Sequence, residues 1–174
     1  MTPEREPRSQ LLTIEDVAGL AREIMLRDGT HVPLVILESD TTTLATILDP
    51  MPDTHLERWN SFYMMGFTLG ENSQLESIRQ VFFVTEAWMT SAAPDCSPTL
   101  PPSQDPQRLE VLTIAHYDAE MQRSHLLIYE MVRQEGQLVD LHAHSENEKL
   151  DNEVHNPLLT GLVRGFERGK EKRR

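Results

Sequence analysis

The chain has 174 residues, of which 25% are charged, and its formal net charge is −12. This length suits one domain that buries about 70% of its unfolded surface, and the acidic balance disfavours nucleic-acid binding, because phosphate contacts dominate that affinity. No apolar run reaches the ~20 residues of a membrane span, and no signal-peptide pattern follows the charged N-terminus. A single cysteine, Cys96, cannot form an internal disulfide. We therefore expect a soluble, cytoplasmic protein with no membrane association.

The first predicted element after residues 1–10, which we expect to form a disordered arm, is a helix over residues 14–28. Thr13 and Asp16 resemble a capping box at its start. Gly29 is a natural stop at its end, because glycine accepts the left-handed conformation that closes many helices.

Two short β-branched segments, residues 33–38 and 42–48, predict an antiparallel hairpin across a polar turn. A second helix follows from Thr54, which forms a capping box with Glu57, and it runs to about Gly70.

The second helix is apolar almost all round, which is typical of a helix buried on more than one side. Trp59, Phe62, Tyr63 and Gly66 are its candidate interface residues, and Gly66 and Gly70 lie on one face. Two interpretations remain open. The helix forms a homodimer interface, or it packs inside the fold.

A strand over residues 78–89 comes next, and its segment Val81 to Met89 is apolar on both faces. Such a strand is typical of the centre of a sheet that is covered on both sides. Residues 90–107 then form a long loop with five prolines, and connections of this length often carry function.

Glu86 and Trp88 lie at the end of this strand, next to Thr85 and below the proline-rich loop. They are candidate ligand-binding residues, because loops over strand ends often form binding sites. The alternative is a structural ion pair or a position at the rim of the sheet, where Arg79, Arg108 or the strand end itself satisfies Glu86.

Residues 108–118, 123–133 and 138–144 predict a three-stranded antiparallel meander. A final helix begins with Asn156 as N-cap and Pro157 in its first turn.

The order of the predicted elements is therefore α-β-β-α-β-β-β-β-α. It indicates an α+β fold with a single mixed, mainly antiparallel sheet of about six strands, flanked by three helices. We expect one globular domain over residues 11–174, with the proline-rich loop at residues 90–107.

Asp140, His142 and His144 alternate along the last strand, which places them on one face. Two imidazoles and a carboxylate can bind a divalent metal, and Glu146 follows closely. An ordinary solvent-facing edge strand explains the same pattern.

His116, Asp118 and His125 form a weaker second candidate across the neighbouring hairpin. General acid–base catalysis needs an imidazole that a carboxylate orients. Cross-strand polar pairing accounts for the same residues without any catalytic role.

Nucleotide-binding loops, the serine-hydrolase elbow and paired Cys-x-x-Cys motifs are all absent from the sequence. The pattern as a whole resembles that of many small bacterial and phage proteins, and no specific residues identify a family. Three hypotheses follow. The first is a non-enzymatic binding protein that self-associates as a homodimer and needs no cofactor. The others are a small metal-dependent hydrolase that uses His142 and His144, and a small-molecule-binding module.

Overall fold

The computed structural model describes residues 11–72, 75–90, 100–145, 147 and 155–173. The predicted arm over residues 1–10, Cys96 and Glu146 lie outside the described residues. The fold is α+β, as predicted, with three helices and one six-stranded sheet in the predicted order. The helices are α1 (Ile14–Asp28), α2 (His55–Glu71) and α3 (Pro157–Arg173). The strands are β1 (Leu34–Glu38), β2 (Thr43–Ile47), β3 (Gln80–Met89), β4 (Leu109–Asp118), β5 (Arg123–Gln134) and β6 (Gln137–Ala143).

The sheet has the strand order β2-β1-β3-β4-β5-β6, and every neighbouring pair is antiparallel. It contains no parallel pair among the described strands, although we expected a mixed sheet. The reason is that α2 carries the chain from β2 across β1 to β3. Strands β2 and β3 therefore run parallel to each other but are separated by β1.

Local hydrogen bonds explain where the first two helices begin. Thr13 and Thr54 each accept a bond from the backbone of the third helical residue, Asp16 or Glu57, whose carboxylate accepts one in return. Both predicted capping boxes are present. Gly29 closes α1 at φ 74°.

The two faces of the sheet are covered differently. One face packs against α2 and α3, and its buried side chains come from both helices and three central strands: Val35, Leu37, Val81, Phe83, Ala115, Phe62, Leu159, Leu162 and Phe166. The other face packs against α1, through Val17, Ala18, Ala21, Met25, Ile36, Phe82, Val84, Leu112 and Ile114. Strand β3 contributes to both cores, which explains its apolar character on both sides.

Helices α2 and α3 run parallel and approach each other closely along glycines. A Cβ on Gly66 would lie 1.9 Å from the Leu162 carbonyl oxygen, and one on Gly165 would lie 2.1 Å from that of Tyr63. Only glycine therefore permits this spacing. Within the described residues, no helix has the length and apolar character to span a membrane.

Candidate functional site

A cleft opens at the start of β1, where β3 continues beyond its last partner in β1. The last residue pair of the β1–β3 ladder is Leu34 with Val84, whereas the β3–β4 ladder continues to Met89. Beyond Val84, no described strand pairs with β3 on the β1 side. We call the stretch Thr85–Met89 on that side the vacated edge.

The hydrogen bonds of β3 show which residues present their backbone at the vacated edge. Ala119 N–H donates to the Arg79 carbonyl at 2.9 Å, although the Arg79 N–H itself donates to Glu38 on the β1 side. The β3–β4 register continues from this carbonyl bond, so Val81 and every second residue after it bond towards β4. Thr85 and Ala87 follow that parity. Glu86 and Trp88 have the opposite parity, and their N–H and C=O groups are directed to the vacated edge.

The cleft along this edge has a volume of about 740 Å³, within the range of small-ligand sites, roughly 300–1,000 Å³. It is lined from both faces of β3, since Phe83, Thr85 and Ala87 alternate with Glu86 and Trp88. The remaining walls come from the chain before β1, the start of α2, α3 and the segment before β4: Thr30, His31, Pro33, Met51, Asp53, His55, Arg58, Leu158, Pro102 and Ser103.

The Glu86 carboxylate is held in place by the chain that leads into β1. Its Oε1 accepts bonds from Thr30 Oγ1 at 2.7 Å and from His31 N–H at 2.5 Å. Neither of the two predicted arginines pairs with Glu86 among the described contacts, since Arg79 pairs with Asp40 and Glu120 and Arg108 lies over Trp88. No described residue bonds to Glu86 Oε2.

Trp88 is 41% exposed, which is unusual for so large an aromatic side chain. The guanidinium of Arg108 lies 4.2 Å from the centre of its ring, a cation–π distance. This contact orients the ring at the mouth of the cleft.

Arg58 supplies a positive charge to the cleft. Its Nε donates to the Pro52 carbonyl at 2.6 Å, and no hydrogen bond or ion pair with described residues occupies its two terminal nitrogens. His31 Nδ1 lies 2.7 Å from the Val32 carbonyl oxygen. Because a carbonyl oxygen can only accept a hydrogen bond, Nδ1 is a protonated ring nitrogen. The cleft therefore offers a cationic donor at Arg58 and an acceptor at Glu86.

The predicted metal-binding residues form two separate pairs. His142 Nε2 lies 2.9 Å from Asp140, and His144 Nε2 lies 3.4 Å from Glu130. The pKa of Asp140 is lowered, first by the Leu141 N–H that it accepts and then by His142. Among the described residues, no group of three or more side chains could hold a metal ion.

His116 lies in a polar network between α1 and the sheet. Gln80 Nε2 donates to the Leu12 carbonyl at 2.8 Å and also to Glu38, so Gln80 Oε1 is left to accept from His116 Nε2 at 2.9 Å. Burial, and then the nearby His125, lower the pKa of His116 to about 4. The ring is therefore neutral at pH 7.

The second predicted site is only partly assembled. His116 and His125 are cross-strand partners whose ring centres are 5.6 Å apart. Asp118 instead accepts the backbone N–H groups of Glu120 and Met121 in the turn. No carboxylate orients either ring among the described hydrogen bonds, and the two stacked rings form an ordinary cross-strand pair.

The predicted interface residues of α2 lie against or beside α3. Phe62 is fully buried, and Gly66 contacts the backbone of Leu162. Trp59 stacks on Tyr63 at 5.2 Å and lies over Gly161. The glycine face of α2 is therefore covered within the chain.

Comparison with known families adds one finding. A family model described as "Bacteriophage lambda protein ea47" matches residues 3–165. The chain belongs to this family. No curated protein and no solved structure gives a significant match.

The match to the ea47 family spans every strand, the cleft and the first half of α3. The sequence predicts Glu86 and Trp88 as ligand-binding residues, and both line the cleft. Arg58, His31 and Thr30 were missed. The sequence could have indicated Arg58, because it is a lone basic residue near the start of an apolar helix. His31 and Thr30 are distant in sequence from Glu86, and no sequence pattern indicates that they belong to the cleft.

Proposed function

We propose that this member of the ea47 family acts by binding, and that the cleft takes an extended peptide segment of a partner protein. The segment adds to β3 along the vacated edge. The observation that carries the proposal is the backbone of Glu86 and Trp88, which no described strand pairs on the β1 side, since a free strand edge binds peptides through main-chain hydrogen bonds. The Glu86 carbonyl accepts a bond from its neighbour Thr85 Oγ1 at 3.1 Å, and an added strand would compete with that local bond.

The dimensions of the cleft support a short segment. The residues Thr85–Trp88 span roughly 13 Å at about 3.3 Å per residue, so the bound stretch has about four residues. Side chains of an added strand alternate between the two faces of the sheet. On one face they meet Phe83 and Ala87, which are apolar. On the other face they meet Glu86 and Trp88.

The charged side chains of the cleft indicate which chemical groups a bound segment should carry. Arg58 offers two terminal nitrogens that suit a carboxylate, because guanidinium binds carboxylates bidentately. Glu86 Oε2 suits a donor. We therefore expect an alternating apolar peptide that carries one acidic side chain or a free C-terminal carboxylate.

The first experiment selects binders from a display library of random pentapeptides and measures the best peptide by isothermal titration calorimetry. Methylating single backbone nitrogens of this peptide should weaken binding at least roughly tenfold, or about 1.4 kcal/mol, at alternate positions only. Methylation at the intervening positions should have little effect.

Two variants accompany the titration. Glu86→Gln should weaken a peptide whose donor lies against Oε2, while Glu23→Gln, at an exposed position of α1, is the matched control. Equal tolerance of methylation at every position would refute strand addition. Binding of small metabolites but no peptide, detected by Trp88 fluorescence in a Trp59→Phe variant, would favour a small-molecule site instead.

A further inference from the structure

The outer edge of β2 presents backbone groups that no described strand pairs, and they can be assigned from the β1–β2 ladder. Leu48 N–H donates to the Pro33 carbonyl at 2.8 Å, and Ser39 N–H donates to the Thr42 carbonyl at 2.9 Å. The two-residue period between these bonds directs Leu44 and Thr46 towards β1. Thr43, Ala45 and Ile47 therefore direct their N–H and C=O groups outwards.

Within the described part of the chain, this edge lacks the usual protection against strand pairing. Residues Thr41–Leu48 include no charged side chain, and Ile47 is 57% exposed. Natural edge strands are commonly blocked by charges, proline or bulges. The nearest acidic residues, Asp40 and Asp49, lie outside the strand.

The opposite edge of the sheet, at β6, is protected in the usual way. The Asp140 carboxylate accepts the Leu141 N–H at 2.8 Å and also contacts His142 at 2.9 Å. A register shift in the β5–β6 ladder further disturbs this edge. The contrast singles out β2 as the pairing edge.

We propose that β2 pairs with β2 of a second copy of this chain, which makes a continuous twelve-stranded sheet across a two-fold axis. An antiparallel pairing centred on Ala45 places Ala45 opposite the partner's Ala45 and Thr43 opposite the partner's Ile47. All outward positions then form hydrogen-bonded pairs. A two-fold interface requires such self-complementarity.

The charges around the edge agree with a second copy in this register. Asp49 falls opposite the partner's Thr41, and Asp40 falls opposite the partner's Pro50, so no like charges face each other. The net charge of −12 per chain still repels at long range, and salt screens that repulsion. The dimer should therefore tighten as the salt concentration rises.

The test is sedimentation velocity of the full chain from low to high micromolar concentration, with two matched alanine-to-proline variants. Ala45→Pro removes an outward N–H at the centre of β2, which an edge strand tolerates. Ala143→Pro makes the same change at an outward, exposed position of β6, since His144 bonds towards β5. Wild type and Ala143→Pro should dimerise, and Ala45→Pro should remain monomeric.

A second variant keeps the proposal testable if Ala45→Pro does not fold. Ile47→Lys adds a charge to an exposed side chain and should weaken the dimer by roughly tenfold, with an unchanged circular dichroism spectrum. A wild-type chain that stays monomeric at every concentration and salt level would overturn the proposal. Dimerisation of Ala45→Pro or Ile47→Lys with the affinity of wild type would also overturn it.

Discussion

Replacing Gly66 with alanine tests the close approach of α2 and α3. The added Cβ would lie 1.9 Å from the Leu162 carbonyl oxygen and 2.9 Å from its carbonyl carbon. Both atoms belong to the backbone of α3, so neither can rotate aside. Contacts below 3.0 Å essentially never occur for real Cβ atoms, and the helices must therefore separate by about 1 Å at this point.

The magnitude follows from two opposing effects. Overpacking a well-packed core typically costs about 1–3 kcal/mol, and occasionally more, and a radial gap of about 1 Å removes up to roughly half of each neighbouring dispersion contact. Alanine regains about 1 kcal/mol of helix propensity. The overpacking cost should lie at or above the upper end of the range of about 1–3 kcal/mol, because the added Cβ clashes with backbone atoms. We expect a net loss of about 2 kcal/mol, which lowers the Tm by roughly 4–8 °C for a chain of this size.

Thermal and urea unfolding of Gly66→Ala, compared with Gly19→Ala, provides the assay. Gly19 lies inside α1, and nothing lies within 4 Å of a Cβ built there, so alanine at this position should stabilise by about 0.5–1 kcal/mol. The two substitutions are chemically identical, and they should change the stability in opposite directions. Equal or increased stability of Gly66→Ala would refute the close packing of α2 and α3.

Three further predictions concern the polar network and the cleft. The depressed pKa of His116, about 4, means that the unfolded chain binds an extra proton between roughly pH 6.5 and 4. Stability should fall as the pH drops through that window, and a His116→Gln variant should show a smaller fall in urea titrations. Glu38→Ala should lower the free energy of unfolding by about 1–3 kcal/mol, because it leaves the Leu12 N–H and one Gln80 amide proton without their acceptor. Glu38→Gln should cost less stability. A loss for Glu38→Ala that is smaller than the loss for Glu38→Gln would contradict this role. Arg108→Ala should free the Trp88 ring and increase acrylamide quenching of its fluorescence in a Trp59→Phe background, whereas unchanged quenching would contradict the stacking.

The sequence was informative where local chemistry decides structure. Thr13 and Thr54 begin helices because their side chains accept bonds within one turn, and that signal lies within four residues. The apolar pattern of β3 predicted a central strand because both of its faces are buried. These features required no knowledge of distant partners.

The sequence was uninformative where distant segments meet. Nothing near Glu86 indicates that Thr30 and His31 satisfy its carboxylate. The glycines of α2 matched a dimer interface as well as an internal helix, and only the position of α3 covers Gly66. The position at which β1 begins, which leaves the end of β3 without a partner and creates the cleft, is likewise visible only in the pairing of the strands.

Amide hydrogen exchange along β3, followed by NMR in the free protein, tests the vacated edge most directly. Thr85 and Ala87 bond towards β4, so their amides should exchange slowly. Glu86 and Trp88 should exchange much faster, by at least about tenfold, and should become protected when a selected peptide binds. Equally slow exchange of all four amides in the free protein would contradict the vacated edge and the peptide-binding function proposed from it.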